Sequence, residues 1–448
     1  MIKSIISALG FFHRGFLIMA GFALCMLFCA CVLMLPVSQN GGAHLSFLDV
    51  LFTAVSVISV TGLSYVDIEK EFSLFGQIFI MIMSEIGGLG IMTAMAVWGI
   101  STGKRIQLRE RLLIKDSFNL QTPSGVVWLV KRIVTTTLWI ECISSILLSI
   151  YFVPQYGWKG FYLGCWYSVA SFCNTGFDIL GAEGGVAGLM SHPYPLIIIY
   201  LTSLLGGVGF LVINDVIDKR SWRKFQLNTK IVITTGLFLT VVSTVAFLCL
   251  EGENPASMAA LSWPDKVVNA LFMASSSRMS GFSMVDMTAL KPATLLLMIA
   301  LMSVGTGPVS TGGGIRTTTL AVLYLSTASW LRGRHQVVVY HKRIPMQVLY
   351  KALNIFFIYS GFVFLTTFAM LVCNTGGFSF GQILFESVSA FSTVGLTAGV
   401  TAQLNTSCKI ILMIAMFIGR VGIMTLSIVF GDRRKRNLQF PEENISIG

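Results

Sequence analysis

The strongest constraint on this chain is a series of long apolar segments that can only be solvated by lipid. Residues 16–37 (FLIMAGFALCMLFCACVLMLPV) carry no charge and exceed the ~20 helical residues that cross a bilayer core. Across the chain 54% of residues are hydrophobic and 11% are charged, whereas soluble domains carry about a quarter charged residues. The sequence therefore predicts an all-α polytopic membrane protein. We expect the first run to be retained, because it is too long for the apolar region of a signal peptide.

The net charge of +11 is concentrated in alternate connections between the apolar segments. Basic residues cluster at 104–115, 219–224, 332–343 and 433–436, and the intervening connections carry acids at 67–71, 178–183 and 251–253. This is the positive-inside pattern of membrane proteins. It predicts a multi-pass protein of the cell (inner) membrane with both termini cytoplasmic. The surrounding partner is then the lipid bilayer, and we expect no nucleic acid.

The apolar segments form four pseudo-repeats of helix, re-entrant pore helix, filter loop and helix around one central pore. The units comprise residues 1–101, 102–218, 219–334 and 335–430, followed by a cytoplasmic tail at 431–448. Full spans are expected near 16–37 and 73–99, 127–153 and 194–215, 231–250 and 293–331, and 353–373 and 407–430.

Between the two spans of each unit lies a shorter apolar segment, at 47–60, 161–173, 265–277 and 380–391. At ~1.5 Å per residue such a helix covers about 20 Å. That length reaches the middle of a ~30 Å hydrocarbon core and cannot cross it. Because the charge pattern returns the chain to the outer side, these segments are predicted to be re-entrant half-helices.

Each half-helix ends in a glycine-containing turn, and the four glycines are separated by 114, 105 and 114 residues. Near-equal spacing indicates a repeated architecture. Backbone carbonyls around one axis can replace the water of a potassium ion, and glycine permits the positive φ that aims them. The half-helices also direct their partly negative C-terminal ends at the site. The candidate filter residues, where we expect the only bound metal, potassium, are Val60, Thr61 and Gly62; Asn174, Thr175 and Gly176; Met279, Ser280 and Gly281; and Thr393, Val394 and Gly395.

These motifs carry a family resemblance that extends over essentially the whole chain. Its further carriers are Gly87-Gly88-Leu89-Gly90, the segment LRERLL at 108–113, Arg278 before the third turn, and Gly419-Arg420-Val421-Gly422. The chain resembles the ion-translocating membrane subunit of the Ktr/Trk/HKT superfamily of potassium transporters, and most closely its bacterial KtrB type.

The resemblance implies potassium uptake without enzymatic chemistry and without a cofactor bound by this chain. It also implies a homodimer with one pore per chain, which works with a cytosolic nucleotide-binding ring subunit of the KtrA/TrkA kind. Gly62 is typical of potassium-selective members. Only the fourth turn reads Thr-Val-Gly, however, and none continues to Tyr-Gly. Sodium as an activator or as a second permeating ion therefore remains open.

The second span of the third unit is interrupted by the segment GTGPVSTGGG at 305–314. Five glycines and a proline in ten residues cannot continue an α-helix. No Gly-Lys-Ser/Thr follows and no strand precedes, which argues against a phosphate-binding loop. The resemblance implies an intramembrane gate under the filter, formed by Gly305, Gly307, Gly312, Gly313 and Gly314 with Arg420.

Several charged residues fall within the predicted membrane region, where each needs a partner or water. The resemblance makes Arg420 a pore-facing barrier, and the alternative is that it only holds two helices together through loop carbonyls. Arg316 either has a partner or extends toward the cytoplasm. Arg278 is expected to brace the third pore loop. Glu85 either attracts cations or bonds a neighbouring helix.

Three other functions are considered beside a potassium pore. A secondary transporter of an organic solute is usually built from unwound full spans in inverted repeats, whereas these units share one orientation. A sodium/potassium-permeable or symporting member of the same superfamily is compatible with the incomplete filter. A membrane enzyme would need acids or histidines at membrane depth, and the carboxylates lie mainly in loops.

The basic connections and the tail either dock the cytosolic subunit or contact anionic lipid.

Overall fold

The computed structural model describes residues 2–41, 45–101, 108–117, 124–181, 185–334, 336–374 and 376–422. Within these ranges the secondary structure is helical except for one two-stranded antiparallel hairpin, β1 (Val338–Val339) and β2 (Lys342–Arg343). The predicted all-α membrane fold is confirmed there. The predicted tail at 431–448, the end of the last predicted span at 423–430 and the start of the second unit at 102–107 lie outside the described residues.

The helices in chain order are α1 (Ile2–Leu33), α2 (Phe47–Ser59), α3 (Ile68–Glu71), α4 (Leu74–Leu89), α5 (Ile91–Ser101), α6 (Leu108–Ser117), α7 (Val126–Tyr156), α8 (Trp158–Cys173), α9 (Pro193–Val208), α10 (Phe210–Lys219), α11 (Leu227–Glu251), α12 (Trp263–Ser276), α13 (Pro292–Val304), α14 (Thr317–Leu331), α15 (Met346–Cys373), α16 (Phe380–Ser392) and α17 (Thr406–Val421).

Among the described residues, four helices are long and apolar enough to cross a membrane singly: α1 over Phe16–Leu33, α7, α11 and α15. Two bent pairs, α4 with α5 and α9 with α10, raise the number to six if each pair counts as one span. The long helices expose large apolar side chains, among them Leu24, Trp139, Phe238 and Phe364. Such surfaces suit lipid rather than water.

The four short helices α2, α8, α12 and α16 contain 13, 16, 14 and 13 residues, too few to cross a bilayer core. Three of them begin at a serine N-cap whose hydroxyl accepts from a first-turn backbone N–H: Ser46, Ser262 and Ser379. Each is packed between two other helices: α2 between α1 and α4, α8 between α7 and α9, α12 between α11 and α9, and α16 between α15 and α17. Their C-terminal ends therefore lie inside the bundle.

Two of the predicted second spans are not single helices. The segment 73–99 bends by 101° at Gly90, and 194–215 bends by 96° at Gly209. The apolar length that places these two spans does not predict the bends. The reason is local, because both glycines adopt a large positive φ, +87° and +101°, that ends an α-helix. The repeated Gly-Gly-x-Gly motif is the sequence signal for the bend.

The same backbone conformation recurs once within each of the four second spans. The φ and ψ angles are 87° and 136° at Gly90, 101° and 140° at Gly209, 86° and 137° at Arg316, and 85° and 142° at Gly422. In the third unit an arginine therefore occupies a glycine position, at a strain of roughly 1–3 kcal/mol. The loop 305–314 lies directly before this bend. Arg316 N donates to Val304 O at 3.0 Å and so joins the residues on either side of the loop, which makes the loop an insertion into the span.

Candidate functional site

The four turn glycines pack against one another in a closed ring. A Cβ added at Gly62 would overlap the carbonyl oxygen of Thr175, and one at Gly176 would lie 2.6 Å from that of Ser280. In the same way Gly281 lies against the carbonyl of Val394, and Gly395 against that of Thr61. Each glycine thus faces the residue before the next glycine, and the fourth returns to the first. Any larger residue would push the ring apart.

Three of the four turns have the same local geometry. Val60, Asn174 and Thr393 each close their helix in the left-handed conformation, with φ of 58°, 59° and 52°. The next N–H then donates back to the helix: Thr61 to Ser56, Thr175 to Ala170 and Val394 to Ser389, at 2.9, 2.9 and 3.0 Å. This satisfies carbonyls that a helix end leaves free. In the third turn the corresponding bond is from Gly281 to Ser276, at 3.2 Å.

The ends of four helices make the surroundings of the ring partly negative. α2, α8, α12 and α16 all end at it, and each helix C-terminus carries roughly half a negative charge. The predicted filter residues other than the glycines are buried. The structure thus brings all four predicted triplets to one place, where they offer backbone carbonyls.

The predicted gate loop lies next to the ring. Gly307 N donates to Gly207 O at the end of α9 at 2.8 Å. The side-chain amide of Asn174 donates to the Thr311 hydroxyl, also at 2.8 Å. A Cβ at Gly313 would collide with the hydroxyl of Thr393. The loop therefore contacts both the second and the fourth turn. The Asn174–Thr311 contact was not anticipated from sequence, and no local motif signals it.

Arg316 closes the loop on itself. Its Nη1 donates to the carbonyls of Gly312 and Gly307 at 2.6 and 3.1 Å, and to the hydroxyls of Thr306 and Ser310 at 3.0 Å each. The guanidinium has these partners, so Arg316 does not extend away from the loop. The hydrogen bonds also offset the strained backbone of this residue.

Arg420 joins the loop to two helices. From α17 its Nη1 donates to the carbonyl of Thr311, and its Nη2 donates to the carbonyls of Gly87 and Gly88 at the end of α4, the latter at 2.9 Å. Arg420 lies two residues before the bend at Gly422. At the equivalent position, two residues before the bend at Gly90, the first unit has Gly88. A glycine position of the repeat thus carries the clamp.

The two remaining charged candidates bond to residues of neighbouring helices and not to the gate loop. Arg278 is 1% exposed, and its Nη1 donates to Gly236 O and Thr240 Oγ1 of α11 at 3.2 Å each. It therefore connects the third pore helix to its outer neighbour. Glu85 accepts a 2.9 Å hydrogen bond from the Cys173 thiol and lies near Glu141. Sequence reasoning missed Glu141 and Cys173. The available signal was a lone acid within the apolar segment 127–153.

Comparison with known proteins identifies this architecture. The family model of TrkH, described as a cation transport protein, matches residues 27–436. The chain belongs to the TrkH family. TrkH proteins are membrane cation transporters and not enzymes, so the expected family and the absence of enzymatic activity are confirmed.

Several relatives of this TrkH-family chain are similar over nearly their whole length. Ktr system potassium uptake protein B of Bacillus subtilis is 36% identical over 96% of this chain and 95% of its own. The protein of the same name from Vibrio alginolyticus is 38% identical, covering 94% and 91%. Potassium/sodium uptake protein NtpJ of Enterococcus hirae is 32% identical, covering 96% of each.

The crystal structure of the potassium transporter TrkH from Vibrio parahaemolyticus superposes with a TM-score of 0.68. The superposition covers 86% of this chain and 78% of the other, at 17% sequence identity. The two proteins share a fold.

Proposed function

We propose that this chain is the potassium-translocating membrane subunit of an uptake system, with one pore per chain. The observation that carries the proposal is the closed ring of Gly62, Gly176, Gly281 and Gly395, each against a carbonyl of the next turn. The names of the relatives, two potassium uptake proteins and one potassium/sodium uptake protein, support potassium as the cargo.

In this proposal the ring dehydrates the ion. Carbonyl oxygens from four turns replace the hydration shell of potassium, and the half-helix dipoles offset the loss of water. The site needs no charged side chain, which keeps binding weak enough for release. The ion enters and leaves without any covalent step.

The loop 305–314 is the gate in this proposal. Arg316 holds the loop folded, and Arg420 links its Thr311 carbonyl to the end of α4. An ion that leaves the ring meets two guanidinium groups and a backbone plug. Opening requires the loop to release Asn174, Gly207 and Arg420, after which the positive charges move out of the path.

Regulation is assigned to a cytosolic nucleotide-binding ring subunit that binds a homodimer of this chain, as the family resemblance implies. The basic connections are its candidate contacts. Sodium is proposed as an activator of this uptake; the name of NtpJ, a potassium/sodium uptake protein, connects a relative of this chain with both ions. The second candidate function, a sodium/potassium-permeable or symporting protein, is favoured by one observation: three of the four turns lack Thr-Val-Gly.

Rubidium uptake by cells that lack their own potassium systems tests the proposal. Gly62→Ser and Gly395→Ser are expected to reduce the preference for rubidium over sodium, because the new side chain collides with the neighbouring carbonyl. Gly361→Ser on α15 is the matched control, since a Cβ there meets nothing within 4 Å. An unchanged preference in both filter variants would show that the ring is not the filter. Equal permeation of sodium by the unaltered protein would favour the second candidate.

A further inference from the structure

Three potential metal ligands meet beside the second turn of the filter ring. Glu85 belongs to α4, Glu141 to α7, and Cys173 is the last residue of α8. One ligand atom from each lies within 4.8 Å of the other two. The group adjoins the filter, because Cys173 directly precedes the filter residue Asn174. It also adjoins the end of α4, since a Cβ added at Gly88 would lie 2.9 Å from the Sγ of Cys173.

Glu141 is the member that the fold alone does not explain. It is 8% exposed, and its Oε1 has no hydrogen-bond partner within the part of the chain that the structure describes. Leaving one oxygen of a buried carboxyl group without a partner costs about 1–3 kcal/mol, and the neighbouring Glu85 adds repulsion when both groups are charged. A bound cation removes both penalties. The orphaned oxygen therefore points to a ligand between the three side chains.

The ligand atoms select the class of cation. Two carboxylate oxygens and one sulfur form a mixed set that suits zinc and its chemical neighbours, with water as a fourth ligand. Magnesium and calcium prefer oxygen alone. When the thiol gives up its proton to solvent, the three ligands carry one more negative charge than a divalent ion neutralises. Arg420, bonded to the neighbouring Gly88 carbonyl at 2.9 Å, supplies the missing positive charge.

We propose that Glu85, Glu141 and Cys173 form a binding site for a divalent cation of the zinc class. Glu85 is the half-buried member and provides the route of entry. An ion here links α4 to α7 and α8, and so fixes the end of α4 whose carbonyls hold Arg420. A cation bound at this site then opposes opening of the gate loop 305–314. That consequence rests on the proposed function, whereas binding itself does not.

Cadmium is the probe, because its bond to a thiolate absorbs in the ultraviolet. The full chain, purified in detergent, is titrated with cadmium, and the metal retained after desalting is counted by mass spectrometry. We expect binding that zinc displaces and that Cys173→Ser or Glu141→Gln weakens at least ~tenfold. The matched control is Cys142→Ser, which removes an exposed thiol next to Glu141 and keeps the binding.

Equal cadmium affinity in Glu141→Gln and the unaltered chain would overturn the site, as would retention of the thiolate band in Cys173→Ser. If either variant fails to elute as a folded protein, Glu85→Gln, altered at the half-buried position, takes its place with the same expectation. Failure of the chain to bind cadmium would also refute the proposal and indicate that the carboxyl groups share a proton. Rubidium uptake is measured separately, so a failed pore and a failed metal site give different results.

Discussion

The side-chain amide of Asn174 donates a 2.8 Å hydrogen bond to the hydroxyl of Thr311, 137 residues further along the chain. The same hydroxyl donates to the carbonyl of Phe172 at 3.1 Å. Asn174 belongs to the second turn of the ring and Thr311 to the loop 305–314, and both are fully buried. The proposed filter and the proposed gate are thus in direct contact.

Replacing Thr311 by valine should raise the potassium flux. The substitution keeps the size of the side chain but removes the hydroxyl that joins the loop to the second turn. Two hydrogen bonds are lost, from Asn174 and to Phe172, and each is worth about 0.5–1.5 kcal/mol, so the closed–open equilibrium shifts by roughly five- to 150-fold. Rubidium flux into proteoliposomes measures the change. Thr327→Val, on the exposed face of α14, is the control and should leave the flux unaltered. A flux equal to the control would count against the contact as a latch.

Substitutions of Arg420 separate its charge from its hydrogen bonds. Lysine keeps the positive charge but lacks the planar fork that reaches Thr311 and Gly88 together. We expect Arg420→Lys to increase rubidium flux and Arg420→Ala to increase it further, because alanine removes the electrostatic barrier as well. Arg332→Lys, at the exposed end of α14, is the control. A flux at or below that of the unaltered protein in Arg420→Ala contradicts the gating role.

Shortening the loop itself provides a separate test. Deletion of residues 310–312 removes Thr311, the acceptor of Arg420, and part of the backbone plug. The flux should then rise at least as much as in Thr311→Val. Deletion of Tyr340 and His341 from the turn of the β-hairpin is the matched control. A shortened loop that folds but conducts no faster would place the barrier elsewhere.

A largely buried ion pair should stabilise the packing of α17 against α2. Lys409 of α17 is 7% exposed, and its Nζ lies 2.7 Å from Asp49 Oδ1 at the start of α2 and 3.1 Å from the ring centroid of Tyr65. Asp49→Asn strands a buried cation and should cost about 3–5 kcal/mol in the free energy of unfolding. Adding Lys409→Met should recover part of that loss, and thermal unfolding in detergent measures both.

The more exposed pair of Lys159 and Glu69, at 3.1 Å, is the comparison for that experiment. Its removal by Lys159→Met should cost no more than about 1 kcal/mol, because water screens the charges. Equal losses in the free energy of unfolding for the two ion pairs would mean that burial does not decide how much an ion pair contributes to stability.

Much of the fold follows from local features of the sequence. Apolar length indicated which helices cross the bilayer, and the half-length segments became α2, α8, α12 and α16 within a few residues. The glycines of the turns have the positive φ that their positions suggested. The bends at Gly90 and Gly209 were not predicted, although each is the last glycine of a Gly-Gly-x-Gly motif. The reason is that hydropathy gives the length of an apolar segment and not the direction of its helix axis.

The sequence by itself determined the number and length of the apolar segments, the turn glycines and the break at 305–314, since these depend on hydrophobic length and on backbone conformations open to glycine. Only the tertiary structure decided that Gly395 returns to Thr61, that Arg420 bonds both Thr311 and Gly88, and that Glu85 meets Cys173. These partners lie tens to hundreds of residues apart. Such contacts are set by how the helices pack, and helix packing leaves no local trace in the residues that meet.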